Sequence, residues 1–413
     1  MKNKKLILHF SLIIIALLLY FIANFQRIAI PGAVFDILEQ ELSVSVSSIT
    51  AFGAVFMYVY ACTQLINGIL IDRFGGLRVM AFGGIILGIG CLLFPLSSNI
   101  YVLYLSRALL GIGSSSFYLS LIKELKILFE DKNYGIALSV MLCIGYLGGM
   151  SANAPFVSLM KYMTWREILL IIAVVVLISA LIFILILPVV PKQEVNRHVK
   201  FRLLPFRVVL HKKHNRNLFT FSCCNFGICY VLQTTIGKKF LEDFCQYSVS
   251  RAAMILSVMA VIAAVFNIVN ASFCKIICHN HRVVFLKSAS VVTFVSLTIL
   301  CIFIWADIKT GLIAYIFYIL AGNASLSSLL VPVIQQTNRN MVSTTAVSIM
   351  NFCFFMMVGI LGTLTGILLN VFEPQRINGV LVYGNNSYLL LFGVFWALSL
   401  FEMYKAANLS NKY

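Results

Sequence analysis

Apolar runs of about 20 residues, the length that crosses a hydrocarbon layer as a helix, recur from one end of the chain to the other. Short polar or charged connections separate them. A first set is predicted near Leu6–Ile30, Ser47–Ile71, Leu77–Leu96, Tyr101–Ile122, Tyr134–Met160 and Ile168–Val190. A second falls near Leu218–Phe240, Ala252–Cys274, Val283–Trp305, Leu312–Ile334, Thr344–Val371 and Tyr388–Met403. Strands of a membrane barrel would be about half as long and would alternate polar with apolar positions, which these runs do not. The pattern predicts an all-α integral membrane protein of about twelve spans. Lys2, Lys4 and Lys5 precede the first run, which is long and lacks a small-residue cleavage site, so it reads as a retained helix and not a signal peptide.

Composition narrows the class further. A 413-residue chain that is 61% hydrophobic and 11% charged carries more apolar surface than a water-soluble core can bury, so lipid has to cover it. The formal charge of +17 reads as topology. With both termini in the cytoplasm, about 22 of the 31 basic residues fall on the cytoplasmic side, as the positive-inside rule requires. Asp36, Glu39, Glu41, Glu242 and Asp243 then crowd the other face. The lipid bilayer, including anionic headgroups, is a sufficient partner for this charge, and no nucleic acid is invoked. In a bacterium the setting would be the plasma (inner) membrane. The eleven cysteines lie mostly inside predicted spans without metal-ligand spacing, and read as packing residues, with no cofactor or metal implied.

The most basic stretch, Lys192 to Arg216, separates the sixth and seventh runs. It reads as a solvated linker held inside by its charge, the alternative being a lipid-binding or regulatory segment. It divides the chain into a six-helix bundle over 1–190, a cytoplasmic loop over 191–216 and a second six-helix bundle over 217–413. The halves carry traces of a repeat. One constant shift places Gly111 on Gly322, Ser114 on Ser325, Ser116 on Ser327 and Glu124 on Gln335, while Asn67 and Asn270 occupy comparable positions in the second and eighth runs.

Between the second and third runs stands Asn67-Gly68-Ile69-Leu70-Ile71-Asp72-Arg73-Phe74-Gly75-Gly76-Leu77-Arg78. A tight turn needs glycine freedom, and a carboxylate beside a guanidinium can lock one bundle until the contact breaks. This segment resembles the signature loop of the major facilitator superfamily. The resemblance implies a fold of 12 transmembrane helices in two bundles with pseudo-two-fold symmetry, and a conformational gate of Gly68, Asp72, Arg73, Gly76, Arg78 and Glu124. It also implies that Asp72 sits near the start of the eleventh helix, around Ser343 and Thr344, and that Arg73 or Arg78 pairs with Glu124 or Glu130. The corresponding loop of the second half, Lys275 to Lys287, lacks the Asp. Arg107 to Gly113 is similar to the family's second motif, and Trp165-Arg166 resembles a Gly-Trp-Arg junction with Thr164 in place of the Gly. Arg107 is then either functional or an arginine snorkelling to the headgroups.

In that family the first, fourth, seventh and tenth helices line the cavity. Tyr20, Asn24 and Arg27 share one helical stripe, and Arg107, Gly111, Ser114 and Tyr118 another. The seventh offers Asn225, Gln233 and Lys238, the last placed at the outer interface, and the tenth offers Asn323, Ser325 and Ser327. Packing against neighbouring helices is the plain alternative for the small polar groups. Acids are expected only at span ends or in loops, including Glu124 and Glu402. A cavity with two arginines and no carboxylate suits a small organic anion, carboxylate or phosphate bearing, with Arg27 and Arg107 as its main contacts. The chain thus reads as a monomeric secondary transporter working by alternating access, with a co-transported or exchanged ion left open. Alternatives are a transporter of neutral solutes such as sugars and a non-transporting sensor. An enzyme is not expected, because His9, the one histidine able to enter a span, has no catalytic partner in view.

Overall fold

The computed structural model describes residues 2–42, 44–129, 131–190, 204–277, 281–338, 340–377 and 380–410. In chain order come α1 Lys2–Ala29, α2 Phe35–Leu42, α3 Val46–Phe74, α4 Gly76–Leu96, α5 Ile100–Leu128, α6 Asp131–Ser151, α7 Ala154–Leu159 and α8 Trp165–Ile186. Then follow α9 Leu204–His211, α10 Lys213–Val231, α11 Gly237–Asp243, α12 Val249–Ile277, α13 Arg282–Trp305, α14 Leu312–Ala324, α15 Ser327–Thr337 and α16 Asn340–Leu369. A hairpin of β1 Gln375–Ile377 and β2 Val380–Val382, with Arg376 opposite Leu381, precedes α17 Asn385–Ala407.

Among the described residues, 10 helices are long and apolar enough to cross a membrane. The count leaves out the predicted fifth and seventh runs, which α6 with α7 and α10 with α11 cover, and several side chains in the first half of α6 lie outside the described residues. In the fifth, Pro155 opens α7 just after α6 ends, because proline lacks the N–H an unbroken helix would need there. In the seventh, polar groups such as Asn225, Gln233 and Lys239 dilute the apolar run, and Leu232–Ile236 winds as a π-turn between α10 and α11. Large apolar side chains such as Ile14, Phe82, Leu181, Val291 and Ile302 are exposed, and these are the surfaces that lipid would cover.

The chain forms two compact units, Met1–Ile30 with Val55–Phe201, and Pro31–Ala54 with Arg202–Tyr413. In the first, α4 packs along α5 and α8, and α1 along α6. Small residues let these backbones approach, as where Ser106 Oγ donates to Gly90 O at 2.7 Å. In the second, Leu218, Phe221, Leu286, Val333 and Ile334 form a core. The Phe240 ring packs 4.7 Å from Phe392 and 6.0 Å from Phe317.

The suspected repeat has a physical counterpart. In the first unit Asn67 Nδ2 donates to Ser115 Oγ at 2.8 Å, joining α3 to α5. In the second, Asn270 Nδ2 donates to Ser325 O at 2.6 Å and Gly322 O at 3.2 Å. The difference is that α5 is continuous, whereas its counterpart breaks between α14 and α15. Asn270 satisfies carbonyls which that break releases.

Candidate functional site

In the first unit, α3 carries an aromatic platform on which both candidate arginines lie. Phe56 and Tyr60, one turn apart, stack with centroids at 6.0 Å and an interplanar angle of 12°. The Arg27 guanidinium lies 4.4 Å from the Tyr60 centroid and 5.9 Å from that of Phe56. Arg107 approaches the same Phe56 ring at 4.7 Å.

Arg107 is fully buried, which removes the headgroup-snorkelling alternative. Its Nη1 and Nη2 donate to Gln26 O and Ile30 O, each at 2.9 Å. These carbonyls close the C-terminal end of α1, where helical acceptors run out of partners and a cation meets the negative end of the helix dipole. Arg166 does the same for α4. It donates to Pro95 O at 2.9 Å and Ser97 O at 3.2 Å, and stacks 4.4 Å from the Trp165 ring. Thr164 and Glu167 close a capping box at the start of α8, so Thr164 has a use that a Gly would not supply.

The remaining first-unit candidates surround α1. Asn24 Nδ2 donates to Tyr20 O at 2.8 Å, and Tyr118, Tyr60, Arg27 and Tyr146 are the electrostatic neighbours of Tyr20. Ser114 is buried, and its Oγ has no hydrogen-bond partner among the described residues.

In the second unit Asn225 and Asn323 converge on one hydroxyl that sequence reading did not single out. Both donate to Thr293 Oγ1, at 2.9 and 2.7 Å, and Asn225 also donates to Glu402 Oε1 at 3.1 Å. Glu402 is fully buried, and α17 continues beyond it to Ala407. This corrects the expectation that acids stand only at span ends: the last span runs longer than its apolar pattern, because Tyr404 and Lys405 follow Glu402 on the same helix. Glu124 is likewise fully buried within α5. Gln233 is buried in the π-turn. Lys238, expected at the outer interface, is 4% exposed and pairs with Glu242 at 3.1 Å.

In the loop between α3 and α4, Gly75 takes φ 88°, a conformation that favours glycine, and begins α4. A Cβ on Gly76 would strike Glu124 Oε1, so this glycine makes room for a carboxylate at the N-terminus of α4, where the helix dipole favours it. A Cβ on Gly68 would meet open space. Glu124 Oε2 pairs with His9 Nε2 at 3.1 Å, so His9 does have a carboxylate partner. Arg73 and Arg78 are exposed, with Arg73 5.5 Å from the Phe74 ring. The side chains of Asp72, Ser343 and Thr344, as well as Glu130, lie outside the described residues, and so does most of the basic stretch before α9.

Sequence reasoning missed Phe56, Tyr60, Thr293 and the burial of Glu402. Phe56 and Tyr60 leave a signal, an aromatic pair at helical spacing beside a small-residue segment; Thr293 leaves none.

A family model described as Major Facilitator Superfamily matches residues 16–363. Over 158 residues the chain is 24% identical to a probable sulfoacetate transporter, SauU, of Cupriavidus necator, covering 38% of this chain and 36% of that protein. Over 105 residues it is 29% identical to a protein named probable anion transporter 4, chloroplastic, of Oryza sativa subsp. japonica, covering 25% and 18%. The matches thus span little more than a third of the first relative and under a fifth of the second. A solved structure of a bacterial homolog to the human lysosomal transporter Spinster is similar at a TM-score of 0.75 and 16% identity, over 97% of this chain and 96% of that one. A mutant of the nucleoside transporter NupG is similar at 0.73 and 15%, over 97% and 99%. At these identities the structural likeness speaks for the fold alone, a two-bundle membrane architecture.

Proposed function

We propose, from the premise that this chain belongs to the Major Facilitator Superfamily, that it moves a small organic anion across a membrane by alternating access. The observation that carries this reading is the placing of two buried guanidinium groups, Arg27 and Arg107, on the Phe56 ring. Positive charge held in a low-dielectric interior favours an anionic visitor, and a planar guanidinium pairs with carboxylate, phosphate or sulfonate oxygens. Two relatives named for sulfoacetate and anion transport support the same class, over short stretches.

Arg27 is the direct contact in this reading. Arg107 is committed to α1 carbonyls in this conformation and contributes its field, exchanging carbonyls for substrate oxygens as α1 moves. Tyr20, Ser114 and Tyr118 supply further hydrogen bonds from the first bundle. Asn24, Asn225 and Asn323 already donate within their own units, which weakens the neutral-solute alternative. Bundles over 1–190 and 217–413, joined by the basic segment 191–216, exchange access, with the Gly68 to Arg78 loop and Glu124 as the gate. Both termini face the cytoplasm, and the unit of function is the monomer.

Counterflow into proteoliposomes tests the proposal. Uptake of a labelled short carboxylate, sulfonate or phosphate ester, competed by other anions and not by sugars or organic cations, is expected. Uptake driven only by sugars would overturn the substrate class.

A further inference from the structure

Four acids and two lysines meet at one end of the second unit. α2 brings Asp36 and Glu39, and α11 brings Lys238, Lys239, Glu242 and Asp243. Tyr383, after the hairpin, and Tyr388, in α17, complete the group. Lys239 is 2% exposed, with Nζ 2.7 Å from Asp36 Oδ1 and 3.2 Å from Asp243 Oδ1. Lys238 Nζ stands 3.1 Å from Glu242 Oε1. Asp243 Oδ2 accepts from the Tyr388 hydroxyl at 2.8 Å and from the Tyr383 backbone N–H at 3.0 Å.

Two features of this geometry call for protons. The Asp36 and Glu242 side chains are buried close enough to act on one another, and two neighbouring carboxyl groups in a buried site resist both being ionised. Glu39 is 5% exposed, and neither carboxyl oxygen has a hydrogen-bond partner of good geometry among the described residues. An ionised carboxylate in that position would be buried without hydrogen bonds to replace those of water, and beside the Asp36 and Asp243 carboxyls. The charge balance agrees. With Glu39 and Glu242 protonated, Asp36 and Asp243 offset Lys238 and Lys239; with both ionised, two negative charges are left over in a buried cluster.

We infer that Glu39 and Glu242 form a two-proton binding site whose occupancy fastens α2 to α11. The site is separate from the arginines of the first unit and does not rest on the organic-anion reading. Burial pushes both carboxyls up to about 7, with Lys239 drawing Glu39 back and Lys238 drawing Glu242 back. Asp36 is also buried, yet Lys239 and then Lys238 hold it below the usual carboxylate range. Burial raises Asp243 against the pull of Lys239. Because the fastened state binds more protons than the released one, the fastening is complete below the ordinary carboxylate pKa and is lost as pH rises through about 7.

Hydrogen exchange of the α2 segment, read by mass spectrometry on the full chain in detergent and corrected for intrinsic rates, tests this at pH 5.5 and 8.5. In the unaltered protein, protection of Phe35–Leu42 is expected to fall about tenfold or more between the two values. The Glu39→Gln, Glu242→Gln double variant keeps neutral side chains in place, and should hold protection within about twofold across the range. If the double variant does not fold, Glu39→Gln alone should show a smaller pH step than the unaltered protein. Equal protection at both pH values in the unaltered protein, or an undiminished pH step in the variants, would overturn the inference.

Discussion

Arg107 Nη2 lies 2.9 Å from the carbonyl oxygen of Ile30, just past the last residue of α1, while Nη1 holds Gln26 O at the same distance. One side chain of α5 therefore closes the end of another helix. Arg107→Ala strands two buried carbonyls and should cost about 2 kcal/mol or more of stability, seen as a lower thermal midpoint in detergent. Arg107→Lys, a point charge without the planar fork, should recover only part of the loss. A midpoint unchanged in Arg107→Ala would contradict this.

Asn67 and Asn270 occupy matching places, but only Asn270 caps a broken helix. Asn270→Ala should therefore destabilise more than Asn67→Ala, by about 1–3 kcal/mol against about 1 kcal/mol. The two midpoints, measured side by side, check the order, and the reverse order would reject it.

Gly68 and Gly76 belong to the same motif yet face different surroundings. Gly76→Ala drives a methyl into the Glu124 carboxyl and should cost about 1–3 kcal/mol. Gly68→Ala meets nothing and should be neutral or stabilising by up to about 1 kcal/mol, as expected of alanine in a helix. Equal effects on stability would contradict the close approach of Gly76 to Glu124.

Glu402 accepts from Asn225 through Oε1, while Oε2 has no hydrogen-bond partner among the described residues. Glu402→Gln keeps an acceptor and removes a buried ionisable group, so its thermal midpoint should match or exceed the parent. Glu402→Leu deprives Asn225 of an acceptor and should lose about 1–3 kcal/mol. A glutamine variant as unstable as the leucine variant would show that the carboxyl itself is needed.

Much of this architecture is legible in the sequence because lipid demands an unbroken apolar run for each crossing, and because Gly75, at φ 88°, marks a turn that few residues can make. The break between α14 and α15 is not legible, since Ser325 and Leu326 resemble residues inside unbroken helices and their capping partner, Asn270, is remote in the chain. Arg107 stands out in the sequence as a charge within an apolar run and Arg166 as part of the Trp165-Arg166 junction, but their partners are backbone carbonyls, which leave no trace in side-chain patterns. Glu402 looks terminal in the sequence because Tyr404 and Lys405 end the apolar pattern before the helix itself ends at Ala407.

The central claim is that positive charge around Phe56 receives an anion. The most direct measurement is the thermal shift of the purified protein in detergent with matched anionic, neutral and cationic compounds, repeated on Arg27→Ala. Stabilisation by anions alone, lost in Arg27→Ala while that variant's ligand-free midpoint stays near the parent's, is the predicted result. Stabilisation by sugars or cations, or an anion response unchanged in Arg27→Ala, would contradict the account.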